Sequence, residues 1–231
     1  MNKTLKKAKR SENRRSVRTG RPPRELAGEV EARIFDAARR VFLERGLAGA
    51  SVDEIASRAR AGKPTIYARF SGKEALYAAV VMRNVARLAD SQLHVPSGAN
   101  IEERLASVGL AVLQQALTGD TVGLMRLGIA EARRFPDLAS SVHRQARERG
   151  VEAVGRFLSE VAQSNELGTL PAFAPERLAI TTRYFLDLVL LPLIMRALFG
   201  EKLKTLHAEI GPHVADSVAF FLAACRFGGI A

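Results

Sequence analysis

Four side chains with cationic or hydroxyl ends lie within the segment KPTIYAR, residues 63–69. Lys63 and Arg69 are positively charged, and Thr65 and Tyr67 carry hydroxyl groups. Such groups bind phosphate oxygens, and Lys and Arg also bind the acceptor edge of guanine. The chemistry that this segment indicates is therefore recognition of a nucleic acid.

Two short helices are expected to position these side chains. Ser51 and Glu54 form an S-x-x-E capping box, which predicts a helix over about residues 52–59. A turn at residues 60–62 follows, and a second helix is predicted over about residues 63–69, because proline is compatible with a first helical turn.

A helix as short and as polar as residues 63–69 is not stable alone. Ile66 and Phe70 are four residues apart and can anchor it against another helix, which leaves its polar residues facing outward. A basic helix presented after a short turn has the geometry of a helix-turn-helix that reads DNA.

The chain from about residue 30 to residue 87 resembles the N-terminal domain of the TetR family of one-component transcriptional regulators. Two positions depart from the family pattern: Arg60 occupies a turn position where the family has glycine, and Gly62 occupies a cap position where it has serine. If the turn requires a positive φ, arginine there costs about 1 kcal/mol. The landmarks that carry the resemblance occur in order and at the family's spacing: Phe42, Gly46, Ser51, Ile55, Ala56, Lys63, Thr65, Ile66, Tyr67, Phe70, Lys73, Glu74, Ala75 and Leu76.

The resemblance implies that Lys73 contacts a phosphate at the start of a helix, and the alternative is a solvated surface lysine. Tyr67 is either a DNA contact or a half-buried core residue. A dimer is expected to read two half-sites about one helical turn apart. The predicted DNA-binding residues are Arg21, Ser51, Lys63, Pro64, Thr65, Tyr67, Arg69 and Lys73.

The positive charge is concentrated at the N-terminus. Residues 1–24 contain ten basic residues and one acidic residue, which places a net charge of +9 there out of the chain's +11. A block of like charges is typical of a disordered, solvated tail. Next to a helix-turn-helix it also indicates a DNA-binding arm, and Gly20-Arg21-Pro22 resembles the core of minor-groove-binding hooks.

The hydrophobic pattern predicts an all-α protein of about nine helices. We expect a basic DNA-binding arm at residues 1–24, a TetR-type three-helix bundle at 25–90 with its helix-turn-helix at 51–70, and an effector-binding and dimerisation domain at 91–231. Residues 94–99, with a proline and a glycine, mark the boundary. The segment 129–138, IAEARRFPDL, and the helix after it resemble the AefR-like type of TetR C-terminal domain. The predicted helices are 26–45, 52–59, 63–69, 72–93, 100–117, 121–134, 136–164, 175–199 and 210–226.

The last two predicted helices are apolar nearly all round, as in LDLVLLPLIMRALF at residues 186–199 and VAFFLAAC at 218–225. A helix of this kind must be buried on several sides. Burial against a second copy satisfies this requirement, and the resemblance also implies dimerisation through the last two helices. The sequence therefore predicts a two-fold homodimer.

A small apolar or amphipathic effector is expected between the helix that links the two domains and the helices of residues 101–164. The candidate polar lining residues are Arg126, Glu131 and His143, and buried salt links or surface charges are the alternative for each. Gly123 and Gly128 indicate either close helix approach or room for a ligand.

Catalytic and metal-site patterns are not found in the sequence. The four histidines lie at residues 94, 143, 207 and 213, outside any H-x-x-x-H or C-x-x-C pattern, and Cys225 is the only cysteine. No glycine-rich phosphate loop is found. Neither an enzyme, a metal nor a cofactor is expected, and Cys225 is expected to be a buried core residue.

No secretory signal is visible, and the most apolar run, residues 184–199, is shorter than the ~20 residues that cross a bilayer. We therefore expect a cytoplasmic DNA-binding repressor that an effector releases from a palindromic operator. A non-specific architectural DNA-binding protein driven by the basic tail is the alternative. A membrane-surface protein is a third class, supported only by the charge of the tail.

Overall fold

The computed structural model describes residues 24–90, 100–164 and 170–226. Within these ranges the chain forms α-helices and one 3₁₀ turn, Pro171–Phe173, and no strand, which confirms the predicted all-α class. The helices are α1 (Arg24–Gly49), α2 (Val52–Ala59), α3 (Lys63–Tyr67), α4 (Lys73–Asp90), α5 (Ile101–Ala116), α6 (Gly119–Glu131), α7 (Pro136–Ser164), α8 (Leu178–Leu198) and α9 (Leu203–Arg226).

Two hydrophobic cores organise the helices. The first core joins α1–α4 and also takes in Leu124 of α6 and Val142 of α7. The second core lies among α5, α7, α8 and α9 and includes Phe185 and Phe221, whose ring centroids are 5.2 Å apart. The predicted linker at residues 94–99 lies outside the described residues, so the domain boundary stays a prediction.

Helix α1 supplies the central wall of the first core. Ile34, Ala38, Val41 and Phe42 recur at helical spacing and are each no more than 1% exposed. The regular helix ends where it was predicted to end, because Gly46 adopts φ 71° and ψ 172° and the residues after it form a separate short turn.

Helix α6 approaches the first core closely because it carries glycine at two contact points. A Cβ atom added at Gly123 would lie 2.6 Å from Cδ2 of Leu43, and one added at Gly128 would lie 2.8 Å from the hydroxyl oxygen of Tyr77. The Tyr77 hydroxyl donates to the carbonyl oxygen of Leu124 at 3.0 Å. Both glycines therefore serve close helix packing rather than leaving room for a ligand.

Helix α9 begins seven residues before its predicted start at residue 210. The segment predicted as a polar link is amphipathic, because Leu206 and Ile210 are buried on one side of it. Its polar side is bound by Arg196 of α8, whose guanidinium pairs with Glu201 and Glu209 at 2.5 Å each across the turn. This clamp holds the ends of α8 and α9 together.

Several other helix starts also differ from the prediction, including that of α1, which is at Arg24 instead of residue 26. Helix α6 starts at Gly119 instead of 121, because the Thr118 hydroxyl accepts a hydrogen bond from the backbone of Thr121 at 3.2 Å and so caps the helix earlier. Helix α8 starts at Leu178, three residues later than predicted. Helix α4 starts at Lys73, which places Gly72 rather than Ser71 directly before it.

Helices α8 and α9 leave a stripe of large apolar side chains on the protein surface. Phe199 is 84% exposed and Phe220 is 68% exposed. The other exposed members of this stripe are Ile180, Tyr184, Leu191 and Met195. Apolar surface of this extent is typical of an interface with another protein.

Helix α8 is the one helix of the described residues that is long and apolar enough to cross a membrane by length and composition. Core helices of globular proteins meet the same criterion, and several α8 residues, such as Phe185 and Val189, are fully buried in the second core. Cys225 is also buried there, as predicted, and its burial raises the pKa of the thiol to about 11.

Candidate nucleic-acid interface

Helix α2 begins with the predicted serine cap. The Ser51 hydroxyl oxygen accepts a hydrogen bond from the backbone N–H of Glu54 at 3.1 Å. The carboxylate of Glu54 instead pairs with Arg58 at 2.6 Å, one helical turn further along. Ser51 is solvent-exposed, so its hydroxyl hydrogen is accessible to a phosphate.

The turn after α2 places an arginine in the left-handed region. Arg60 has φ 50° and ψ 44°, and it is the only residue other than glycine with positive φ in the described part of the chain. Its backbone N–H lies 3.2 Å from the carbonyl oxygen of Ser57, which closes the end of α2. The turn therefore has the conformation for which glycine is the least strained residue.

Helix α3 is shorter than predicted and ends at Tyr67. Gly62 precedes it with an extended backbone and provides no side-chain cap. Ile66 is buried under the helix and Phe70 is partly buried against Phe35, with ring centroids 5.8 Å apart. This apolar attachment presents the opposite side of α3 to solvent.

The predicted DNA-binding residues of α3 share one exposed surface. Tyr67 is 53% exposed, and its contact with DNA stays a prediction. We call this set the reading surface; its members are Lys63, Pro64, Thr65, Tyr67 and Arg69, all exposed.

Both cations of the reading surface are paired with carboxylates of neighbouring helices. Lys63 Nζ lies 2.7 Å from Asp53 of α2, and Arg69 lies 2.5 Å from Glu31 of α1. These side chains are a third to two thirds exposed. Exposed ion pairs contribute at most about 1 kcal/mol, so a phosphate can replace either carboxylate at small cost.

Lys73 has a structural role that the sequence did not indicate. Its ammonium group donates to the carbonyl oxygens of Ala48 and Ala50 at 3.0 and 3.4 Å. These two carbonyls precede α2, so Lys73 ties the start of α4 to the start of the helix-turn-helix. A third donor of the ammonium group remains for a phosphate, and that contact stays a prediction.

Electrostatic links also fasten α2 to α1. Arg58 pairs with Glu44 at 2.7 Å in addition to Glu54. The hydrogen bond from Arg58 lowers the pKa of the Glu44 carboxyl, so this carboxylate stays ionised, and the link persists, to a lower pH than for an ordinary glutamate. The predicted arm residue Arg21 lies outside the described residues.

The helices and the reading surface match known protein families. Residues 34–80 match the family of bacterial regulatory proteins of the TetR type. Residues 103–226, more than half of the chain, match the C-terminal domain of AefR-like transcriptional repressors. The chain belongs to the TetR family. The resemblances at both ends of the sequence are thereby confirmed, and so is the prediction of a transcriptional regulator rather than an enzyme.

Curated TetR relatives match over part of the chain. The transcriptional repressor SCO4008 of Streptomyces coelicolor is 46% identical over 62 residues, 27% of this chain and 32% of the relative. The transcriptional activator FasR of Mycolicibacterium smegmatis is 44% identical over 71 residues, 31% of each chain. The repressor Rv3405c of Mycobacterium tuberculosis is 33% identical over 128 residues, 55% of this chain and 61% of the relative. The matched region thus spans less than two thirds of each relative.

Solved structures match over most of the chain. A TetR-family regulator from Mesorhizobium loti has a TM-score of 0.67 and 24% identity, covering 86% of this chain and 97% of that one. The flavonoid-responsive regulator FrrA has a TM-score of 0.60 and 29% identity with the same coverage. Regulators of this family bind DNA and act as dimers.

The three predicted effector-binding residues lie in different settings. Arg126 of α6 donates to the carbonyl oxygens of Ala197 and Leu198 at the end of α8, at 2.5 and 3.2 Å. Glu131 lies at the end of α6 in an open depression, and its charge adds to the burial that raises the pKa of Tyr77 to about 12. His143 is exposed on α7. The structure does not gather these residues into one pocket, and Arg126 serves as a link between helices.

An open groove of about 370 Å³ lies between α1 and α4, with Leu124 of α6 at its side. Its walls carry Arg33, Arg39 and Arg83 beside Phe35, so it is more charged than the apolar pocket expected from the sequence. No group of three metal-binding side chains occurs among the residues that the structure describes.

Proposed function

We propose that this protein is a dimeric repressor that binds a palindromic operator and is released by a small-molecule effector. The observation that carries the proposal is the reading surface, a polar helix face that Ile66 and Phe70 attach to the rest of the bundle. In this arrangement Thr65 and Tyr67 are available for base edges or phosphates, while Lys63 and Arg69 exchange a carboxylate for a phosphate.

The exposed apolar stripe of α8 and α9 supports dimerisation through these helices. Burying Phe199 and Phe220 against a second copy removes the largest exposed apolar side chains from water, at about 25 cal/mol per Å². A two-fold axis there presents two reading surfaces, which fits half-sites about one helical turn apart. Phe220→Glu is expected to give monomers in light scattering at micromolar concentration, and a dimer of unchanged stability would contradict this interface.

The basic arm, residues 1–24, supplements the reading surface. Its net charge of +9 favours phosphate contacts, and Arg21 is suited to a narrow minor groove. Deleting residues 1–24 is expected to weaken operator binding and to flatten its salt dependence. Unchanged affinity at ~0.1 M salt would exclude this role.

The position of α4 supports release by an effector. Helix α4 carries Lys73, which holds the start of α2, and it packs on α1, α6 and α7. An effector that enters between α4 and the helices α5–α7 must shift α4 and with it the reading surface. The effector then favours a state that fits the operator less well. The operator affinity falls by at most the ratio of the effector's affinities for the two states.

The chemistry of the effector is inferred from the second core and from a relative. The residues around α5, α7 and α8 are apolar, and FrrA, 29% identical over 86% of this chain, is flavonoid-responsive. We infer a small apolar or amphipathic effector. A panel of flavonoids and other amphipathic compounds is screened by thermal shift, and a true effector both raises the melting temperature and releases operator DNA.

Selection of the full-length protein on a random duplex pool at near-physiological salt tests the main proposal. A two-fold symmetric motif is the expected result. If no motif emerges and binding disappears when residues 1–24 are deleted, the protein is an architectural DNA-binding protein. Binding to anionic vesicles without duplex binding would favour a membrane-surface protein.

Whether the protein represses or activates transcription is the remaining part of the proposal. SCO4008 is a repressor and FasR an activator, and each matches less than a third of this chain. The longer match to the AefR-like repressor domain supports repression. A promoter carrying the selected operator is expected to be more active without the protein than with it.

A further inference from the structure

The cations within the helix-turn-helix, residues 51–70, differ in how they are neutralised. Arg58, Lys63 and Arg69 each pair with a carboxylate at 2.5–2.7 Å. Arg60 is exposed and, in the part of the chain that the structure describes, has no carboxylate partner. The one unneutralised charge of the motif is therefore at its turn.

This charge is held in an unfavourable backbone conformation. Arg60 has φ 50°, where glycine is the residue without steric cost. Its backbone N–H still closes α2 on Ser57, a contact that glycine would make equally well. Strained residues that the fold does not need tend to occur where function uses the side chain.

A second arginine increases the positive potential at the turn. The Nε of Arg33 on α1 donates to the carbonyl oxygen of Ala59, the residue before Arg60, at 3.1 Å. Arg33 is also exposed and has no carboxylate partner among the described residues. The guanidinium of Arg33 and the backbone of Arg60 thus lie next to one peptide group, so a bound anion at the turn would meet a second cation nearby.

The position of Arg60 suits a phosphate of the operator. It lies three residues before Lys63, so the backbone between them spans at most about 11 Å. In helix-turn-helix proteins the first helix crosses the phosphate backbone and the second lies in the major groove, so the turn between them lies at the groove edge.

We propose that Arg60 is a phosphate-binding residue of the DNA interface, kept at the turn at the expense of backbone strain. The proposal rests on the proposed function, since it requires that the reading surface binds duplex DNA. The contact positions the protein on the duplex and does not select bases.

Three substitutions separate charge from strain. Arg60→Gln removes the charge and keeps the backbone strain of a side chain at positive φ. Arg60→Lys keeps the charge and the strain, and Arg60→Gly removes the charge and the strain. Arg149→Gln on α7 is the control, because Arg149 is an exposed arginine without an ion pair in the described residues and lies outside the DNA-binding bundle.

Binding of each variant to the selected operator is measured from ~0.05 to ~0.3 M salt. A dimer that loses two phosphate contacts is expected to reduce the slope of log K against log salt by about 1.8 and to bind roughly tenfold more weakly at ~0.1 M salt. Arg60→Gln and Arg60→Gly should show this loss, and Arg60→Lys should keep most of the slope. Arg60→Gly should also melt roughly 1–3 °C higher than the parent.

The outcomes distinguish the inference from the proposed function. If the parent protein does not bind duplex DNA, the proposed function fails. If the parent binds and Arg60→Gln, shown to be folded by its melting curve, matches Arg149→Gln in affinity and slope, the role of Arg60 is refuted while the proposed function stands. A loss confined to Arg60→Gly would assign the effect to the turn conformation and would equally refute the phosphate contact.

Discussion

Replacing Gly128 by alanine is expected to destabilise the protein through a clash with one atom, the hydroxyl oxygen of Tyr77. The added Cβ would lie 2.8 Å from that oxygen, where ordinary contacts are at least 3.4 Å. Tyr77 cannot easily move away, because its ring is 4% exposed and packs edge-on against Phe42 at 5.7 Å. Overpacking of this kind costs about 1–3 kcal/mol.

Two smaller free-energy contributions, helix preference and the Tyr77 hydrogen bond, add to the effect of the clash. Alanine favours the helix over glycine by about 1 kcal/mol, so the net loss for Gly128→Ala is about 1 kcal/mol. Tyr77→Phe removes the clashing oxygen and also the hydrogen bond to Leu124, which costs about 1 kcal/mol. In the Tyr77→Phe background, Gly128→Ala should therefore be neutral or stabilising, with a coupling free energy of about 2 kcal/mol.

Urea unfolding followed by circular dichroism measures the four members of this double-mutant cycle. The protein concentration is kept constant, because dimerisation contributes to stability. Gly150→Ala in α7 is the control, since no atom lies within 4 Å of its added Cβ and only the helix preference acts. If Gly128→Ala changes the free energy of unfolding equally in both backgrounds, contact with Tyr77 is not what requires glycine in α6.

Three further outcomes follow from described contacts. Ser51→Ala removes the cap of α2 and should lower the free energy of unfolding by about 1 kcal/mol in the same urea titration, whereas Ser51→Thr should retain most of it. Burial raises the pKa of Tyr77 to about 12 from 10.0, so the folded state holds the phenolic proton more tightly than the unfolded state does. The protonated hydroxyl therefore contributes on the order of 2 kcal/mol to the free energy of unfolding below pH 10, and this contribution is lost as the pH rises from 10 to 12. Melting curves across that range should show a smaller decline for Tyr77→Phe than for the parent, and equal declines would contradict the shift. Arg126→Gln removes the donors that bind the last carbonyls of α8 and should cost about 1 kcal/mol, a modest value because Arg126 is exposed; no change in the urea midpoint would show that solvent replaces these bonds.

Local signals predicted the elements that local chemistry determines. Helix α2 has its predicted bounds because Ser51 caps it, and α7 starts at the predicted Pro136. The exposed side of α3 followed from Ile66 and Phe70, since these two apolar residues four positions apart determine which side of the segment faces the bundle. The family resemblance supplied the effector, which no local signal contains, and it supported the dimer that the apolar last two helices indicated.

Contacts between distant segments were beyond the sequence. Arg69 meets Glu31 across 38 residues, and no periodicity relates the two positions. Lys73 reaches carbonyls 23 and 25 residues earlier, and backbone carbonyls leave no mark in a sequence. The early start of α9 was missed because residues 200–209 are mostly polar, whereas Leu206 within them packs into the core and the helix begins at Leu203.

Because Cys225 is buried, a cysteine introduced at the surface can be labelled selectively without removing the native one. Cys225 is the only cysteine, it is 2% exposed, and with a pKa of about 11 its thiolate is roughly one part in ten thousand at pH 7. A cysteine placed at exposed Ala68, directly after α3, would therefore react with a maleimide spin label while Cys225 stays unmodified. Electron–electron distances between the two labels of a dimer would then give the separation of its two α3 helices directly, with and without a candidate effector.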